Sequence, residues 1–224
     1  MTVAIHPPPD TTLSPTEMDA WRAIPVAVAV DLLRGVGHVD PAIRPLNRPG
    51  RQPRLFGRAV TVRCEPPDFG AVVRVLDIVG PGDVVMIAAA GNADFAMIGE
   101  ILGGHLRRKG CAGLVCDGAV RDVATLAGWP DFSVFTRSVT PRGPLSAERG
   151  AVNLPVVIGG EMVSPGDLVL GDDDGVVVLS PEAVRTRIGD ARARLTLEAE
   201  WIRSLADGRT ARETFGLGGT DGAP

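Results

Sequence analysis

The chain has 224 residues, no tyrosine, and aromatic residues amounting to only 4%. A core built from it must be aliphatic, drawn from Val, Leu, Ile and Ala. There is a single lysine, Lys109, set in the charged run Arg107-Arg108-Lys109. That run lacks the apolar pocket that depresses an amine for Schiff-base chemistry. The three cysteines, Cys64, Cys111 and Cys116, stand in apolar surroundings. An odd count so placed argues against a disulfide framework, and Cys111 and Cys116 lack the close spacing and second pair of a zinc site. The three histidines, His6, His38 and His105, are scattered, with no His-Glu-x-x-His. A basic excess is missing too: 23 Lys and Arg face 27 Asp and Glu, a net charge of −4. This excludes a nucleic-acid protein held by a basic face. No apolar run approaches the ~18 residues of a membrane span. Met1 to Asp19 carries four prolines and has neither the basic start nor the apolar stretch of a signal peptide. A cytoplasmic protein is expected. Phosphate-binding loops are absent as well: there is no Walker sequence, and Gly35-Val36-Gly37 stops short of a dinucleotide fingerprint.

What is present is the profile of a globular domain, 45% hydrophobic and 22% charged. At roughly 150 residues per domain, one domain with terminal arms is the natural division. Residues 1–15 are expected to form an extended, loosely ordered arm, 16–208 the domain, and 209–224 a flexible tail. Valine-rich runs flanked by Gly and Pro predict strands at Ala59–Cys64, Val84–Ala89, Gly113–Cys116, Ser133–Thr136, Val156–Ile158, Leu168–Leu170 and Val176–Leu179. Helices are predicted at Val26–Arg34, Phe69–Val79, somewhere within Ala93–Lys109, briefly after Asp122, and from Pro181 to about Ala206. The last has Ser180 as N-cap, Pro181 at the first helical position, and Val184, Ile188, Ala191, Leu195, Ala199 and Ile202 along one face. Asp207-Gly208 should end it. Pro81-Gly82-Asp83 recurs as Pro165-Gly166-Asp167, each a candidate type II turn launching a strand. The acidic run Asp172–Asp174 lacks the ligand alternation of a calcium loop and reads as a solvated hairpin turn.

The chemistry-bearing segment is Gly91–Pro141. Gly99 can cap a helix whose unpaired first-turn N–H groups suit a small carboxylate. The apolar run Gly113–Cys116 then delivers Arg121 and Asp122 to a loop at the sheet edge. Arg121 can grip an anion or a developing oxyanion, and Asp122 can hold a hard divalent cation. Spacing alone favours a plainer reading of the pair, a surface turn with Asp122 as a helix N-cap. Gly99-Glu100 has the same alternative of a capped helix start, or Gly99 lies inside one continuous helix.

The run Gly99-Glu100-Ile101-Leu102 followed by Gly113-Leu114-Val115-Cys116-Asp117-Gly118-Ala119-Val120-Arg121-Asp122 resembles the signature of one family. It is the family of 4-hydroxy-4-methyl-2-oxoglutarate aldolases and the related regulators of ribonuclease E activity. The similarity extends over about residues 25–217, including Gly57–Val62, Pro155–Val163 and Asp172–Val178. The resemblance implies an α/β fold, the swivelling β/β/α type (an α/β/β/α sandwich), as a single domain with a long C-terminal helix. It also implies a divalent-metal-dependent aldolase that forms pyruvate, with oxaloacetate decarboxylation as a side activity. By that resemblance Gly99, Glu100, Ile101 and Leu102 hold the substrate carboxylate through backbone amides, and Arg121 contacts substrate. Asp122 binds Mg²⁺ or Mn²⁺, and Glu100 acts in the water network beside the metal. It further implies a homotrimer or dimer of trimers, with an acidic residue from a neighbouring subunit completing the site. The small oxo acid is the expected partner, with neither nucleic acid nor membrane. The regulators share the fold, so a non-catalytic protein-binding role is the alternative; Asp122 after Arg121 and the long last helix favour the enzyme.

Overall fold

The computed structural model describes residues 3–8 and 13–217. In chain order it contains β1 (Ala4–Ile5), α1 (Pro15–Asp19), α2 (Val26–Leu32), β2 (Arg44–Pro45), β3 (Leu55–Arg63), α3 (Gly70–Val75), β4 (Asp83–Ile98) and α4 (Glu100–Arg108). There follow β5 (Gly113–Val120), α5 (Val123–Ala127), β6 (Ser133–Val139), β7 (Ala151–Val152), β8 (Val156–Ile158), β9 (Glu161–Val163), β10 (Leu168–Asp172), β11 (Gly175–Leu179), α6 (Pro181–Ala206) and α7 (Ala211–Thr214). Strands β3, β4, β5 and β6 run parallel, the arrangement that helical crossovers produce. At β3 the sheet folds over on itself. The first residues of β3 pair antiparallel with β10, and β10 pairs with β11. The hairpin β8–β9 forms a small sheet of its own.

Burial on both faces explains why these strands read as unbroken apolar runs. Along β4, Val85 and Ile87 face α3 and α4, whereas Val84 and Met86 face the second β layer. In the hairpin, Val169, Val176 and Val178 face inward to that same layer, while Leu168, Leu170, Val177 and Leu179 meet α1, α2 and α6. Period-two alternation at β10–β11 thus separates two cores. The outcome is the α/β/β/α sandwich. Trp21 is fully buried in the outer core and its indole N–H donates to the Val184 carbonyl at 3.0 Å, tying the N-terminal helices to α6.

Both Pro-Gly turns form as predicted. Gly82 and Gly166 take positive φ (78° and 88°), and the N–H of Asp83 and of Asp167 donates to the carbonyl three residues back. The Asp172–Asp174 turn does more than meet solvent: Asp172 accepts the Val26 N–H at the start of α2, and Asp173 accepts the Gly50 N–H.

Several elements differ from the sequence expectation. Strands β4, β5 and β6 run past their predicted ends, to Ile98, Val120 and Val139, because register shifts absorb the small and polar residues between Ala88 and Ile98. Predicted helix Phe69–Val79 contracts to Gly70–Val75. The arm is not wholly loose, since Ala4–Ile5 pairs parallel with β7; residues 1, 2 and 9–12 lie outside the described residues. Within the expected tail, Thr210 and Glu213 form a capping box for α7 and Phe215 packs edge-on against Trp201; residues 218–224 lie outside the described residues.

Candidate active site

Strand β5 is buried along its whole length. Its single charge, Asp117, is satisfied within the fold: Arg137 Nε lies 2.6 Å from one oxygen, and the Gly159 N–H donates to the other. Arg137 also reaches Asp40 at 2.9 Å. Arg121 and Asp122 follow at the strand's end, where the chain turns sharply. Asp122 adopts φ 58°, a left-handed conformation that Asp tolerates better than most residues.

That turn brings the pair onto the start of α4. Asp122 Oδ2 accepts the Glu100 N–H at 3.0 Å and lies 3.7 Å from Arg121 Nε. Gly99 is the N-cap position of α4, and the first intrahelical bond runs from Gly103 N–H to the Gly99 carbonyl. The N–H groups of Ile101 and Leu102 therefore precede any intrahelical acceptor. A Cβ on Gly99 would stand 2.3 Å from Asp122 Oδ2 and 2.8 Å from Arg121 Cγ. Only glycine admits the pair this close. On the other side Arg121 Nη1 lies where a Cβ on Gly143 would sit, 2.6 Å away. Asp122 does stand at the N-cap position of α5, but its side chain makes no bond there; the carboxylate instead caps α4 across space, accepting from Glu100, twenty-two residues earlier in the chain.

Gly99, Ile101, Leu102, Arg121 and Asp122 share one cavity of about 210 Å³, walled by Phe69, Val73, Met97 and Pro144 among others. This is below the ~300 Å³ at which pockets for drug-sized ligands begin, so it suits a small molecule. Glu100 gives its N–H to Asp122 but lines a different space, a wide groove shared with Arg107, Arg108 and Trp129. In that groove Arg107 is already paired with Asp131 at 2.6 Å and stacked on Trp129. The cavity beside Arg121 is the better candidate, because a cation, a carboxylate and free helix N–H groups converge there.

Sequence reasoning passed over the loop that closes this cavity. Residues 142–149 carried no motif, yet they are anchored by a buried carboxylate, Asp68. It accepts hydrogen bonds from Ser146 Oγ (2.5 Å) and from the N–H groups of Gly70, Glu148 and Arg149. Burial alone would push this carboxyl up; the Ser146 hydroxyl and the Arg149, Gly70 and Glu148 amides outweigh it and hold the group well below the usual carboxylate range. Only the folded chain brings Asp68 to that loop.

The other residues singled out in the sequence take structural places. Lys109 Nζ donates to the Leu76 carbonyl at 2.6 Å. Burial pushes the Cys64 thiol up to about 12 and the Cys111 thiol to about 11, and raises Cys116 as well, so none is a nucleophile at neutral pH. His105 is exposed. Among the described residues no cluster of three or more His, Cys, Asp or Glu could hold a metal. Zinc, which wants three or four such ligands, does not fit. A Mg²⁺-type ion bound through one carboxylate, with the rest of its shell from water and substrate, fits Asp122.

The matched family model, described as Aldolase/RraA, covers residues 18–178. The chain belongs to the RraA-like family. A relative from Halalkalibacterium halodurans, named "Putative 4-hydroxy-4-methyl-2-oxoglutarate aldolase", is 34% identical over 198 residues, 87% of this chain and 92% of its own. Among solved structures, an uncharacterised protein from Pseudomonas syringae pv. tomato superposes with a TM-score of 0.79 at 27% identity, covering 92% of this chain and 99% of that one. An unusual member of the RNase ES inhibitor RraA family from Streptomyces coelicolor gives 0.73 at 27% identity, over 83% and 96%. The family fold is thus the α/β/β/α sandwich described above, and α6 lies beyond the matched span.

Proposed function

We propose that the protein is a divalent-metal-dependent aldolase. It would cleave 4-hydroxy-4-methyl-2-oxoglutarate or a similar 4-hydroxy-2-oxo acid to pyruvate and a second carbonyl compound. The observation that carries this reading is the convergence of Arg121, Asp122 and the first turn of α4 on one small, apolar-walled cavity. The name of the 34% identical relative supports it.

The Ile101 and Leu102 N–H groups, at the positive end of α4, would bind the substrate carboxylate. The Arg121 guanidinium would face the 2-oxo oxygen, where negative charge develops as the C3–C4 bond breaks and its electron pair moves into the pyruvate enolate. A base takes the C4 hydroxyl proton; Glu100, which lines the adjoining groove, would do so only through bridging water, and the enolate would then be protonated at C3. Asp122 would hold Mg²⁺ or Mn²⁺, which when bound supplies Lewis-acid stabilisation of the same oxyanion. The apolar walls from Phe69, Val73 and Met97 keep the local dielectric low, so each charge contact counts for more. Oxaloacetate decarboxylation passes through the same enolate and is proposed as a side activity.

Pyruvate release from 4-hydroxy-4-methyl-2-oxoglutarate by purified protein is the test. It should require Mg²⁺ or Mn²⁺, stop with EDTA and resume on metal addition. Borohydride trapping of an adduct on Lys109 would instead assign a metal-free Schiff-base route. The second reading, a protein-binding regulator, is favoured by the inhibitor named for the Streptomyces neighbour; metal-replete protein that releases no pyruvate would bring it forward.

A further inference from the structure

The Arg121 side chain is placed by packing as much as by charge. Among the described residues its one ion pair is made through Nε, with Asp122 at 3.7 Å. What its tip touches therefore decides where its terminal nitrogens point. The side chain runs through a slot between two glycines. A Cβ on Gly99 would stand 2.8 Å from Cγ and 3.2 Å from Nε, and a Cβ on Gly143 would stand 2.6 Å from Nη1. At Gly143, chain neighbours aside, the Arg121 guanidinium is the only group within 4 Å of that Cβ among the described residues. The φ of Gly143 lies outside the left-handed range, so its backbone does not require glycine; the close approach of the arginine does.

Gly143 is held at that distance from both sides. Before it, the Arg142 carbonyl accepts the Ala96 N–H at 2.8 Å, and the Arg142 guanidinium stacks on Phe95, 4.4 Å from the ring centroid. After it, the Leu145 N–H donates to the Pro67 carbonyl at 2.9 Å and the Phe69 N–H to the Ser146 carbonyl at 3.0 Å. Asp68 stands between those two bonds and gathers Ser146 Oγ and the Glu148 and Arg149 N–H groups. The same carboxylate accepts the Gly70 N–H at the start of α3, the helix that supplies Val73 to the cavity. One buried carboxylate thus ties the Pro144 wall to the Phe69–Val73 wall and, through Gly143, bears on Arg121. Resting on the aldolase reading above, we infer that Gly143 and Asp68 are positioning residues for that reaction. Gly143 is the backstop that aims the Arg121 guanidinium, and Asp68 fixes the backstop. Neither touches the substrate; both act through Arg121. A donor already aimed where negative charge develops needs no reorganisation during the reaction, and a misplacement of about 1 Å costs on the order of 100-fold in rate.

The test separates aim from stability. Gly143→Ala strikes only the flexible end of one side chain, so its melting temperature should stay within about 2 °C of the wild type's. Its kcat for pyruvate release should nevertheless fall by about 10-fold or more. Its affinity for oxalate, a planar dianion shaped like the pyruvate enolate, should weaken by a similar factor in calorimetry with Mg²⁺ present. Ser146→Ala leaves Asp68 its three amide donors, so it loosens the clasp without emptying it and should lower kcat by about threefold. In an Arg121→Lys background each substitution should cost less than about twofold, because residues that act through one group are not additive. A merely structural role would instead move the melting temperature and leave the losses additive. Wild-type kcat and oxalate affinity in Gly143→Ala, or additive losses beside Arg121→Lys, overturn the inference and leave the aldolase reading standing. Wild-type protein that neither binds oxalate nor releases pyruvate overturns that reading, and the inference with it.

Discussion

At the scale of single residues, the site depends on a missing side chain. Gly99 lets a cation and a carboxylate sit against a helix start, and any Cβ there collides with both. Gly99→Ala should lower pyruvate release by 100-fold or more while costing about 1–3 kcal/mol of stability, the usual price of overpacking; near-wild-type rates would show that the pair tolerates displacement. Arg121 and Asp122 should fail differently. Arg121→Lys keeps charge but loses the planar fork, so kcat should fall by about 100-fold, as when an oxyanion donor is removed. Asp122→Asn keeps an acceptor for the Glu100 N–H and tolerates the left-handed backbone, so the fold should survive. Its loss should appear as a weaker apparent Mg²⁺ affinity, with excess metal restoring part of the rate. Mg²⁺ titrations of both variants beside thermal melts decide it, and unchanged rates for both would remove the pair from the chemistry.

At the scale of elements, two buried aspartates with opposite environments show how turns and loops are held. Asp68 receives donors from four residues, and its carboxyl is depressed. Its stabilising contribution is present above the unfolded value of about 4 and is lost as pH falls through the depressed native value. Asp68→Asn should lower Tm by about 4–8 °C at pH 7, the size expected when a buried hydrogen-bonded group is broken in a chain of this length. Asp167, in the second Pro-Gly turn, accepts only the Ser164 N–H among the described residues. Burial pushes its carboxyl up to about 6. The sign is reversed here: its contribution is full below about pH 4 and is lost as pH rises towards 6, where the folded state must carry a poorly solvated charge. Asp167→Asn should therefore raise Tm at pH 7.5 and change it little at pH 4. Equal destabilisation at both pH values would show that the ionised form is well solvated.

At the scale of the whole molecule, α6 is longer than the layer it packs on. Its 26 residues span about 39 Å. Val184 and Ala191 are buried and Ile188 and Leu195 partly so, but Ile202 is 69% exposed and Leu205 42%. The apolar face read from the sequence is therefore covered only along its first half. This exposed stretch supports the proposed trimer or dimer of trimers, and closed cyclic symmetry would let a neighbour complete the site. Light scattering at micromolar concentration should give three or six times 23.4 kDa; a monomer mass would contradict the assembly.

Which parts were legible follows from the range over which each interaction acts. Turn chemistry, caps and apolar runs are local, so Ser180-Pro181, the two Pro-Gly turns and the central strands were readable from neighbouring residues. The predicted strand cores Val84–Ala89 and Gly113–Cys116 are unbroken apolar runs, and both prove buried on each face. The Gly99 and Arg121-Asp122 motifs were visible by resemblance, while spacing alone pointed to a helix cap; the folded chain has Asp122 capping α4 across space and sharing a cavity with Arg121. Strand ends past Ala88 were hidden because backbone pairing with bulges carries no side-chain period. The closing loop, its Asp68 anchor and the stacking of Arg142 on Phe95 join residues 47 to 81 positions apart. Composition and local pattern therefore determined the layers and the chemistry available, whereas tertiary packing alone decided which charges meet, because hydrogen bonds and burial act through space and leave no periodic trace in the chain.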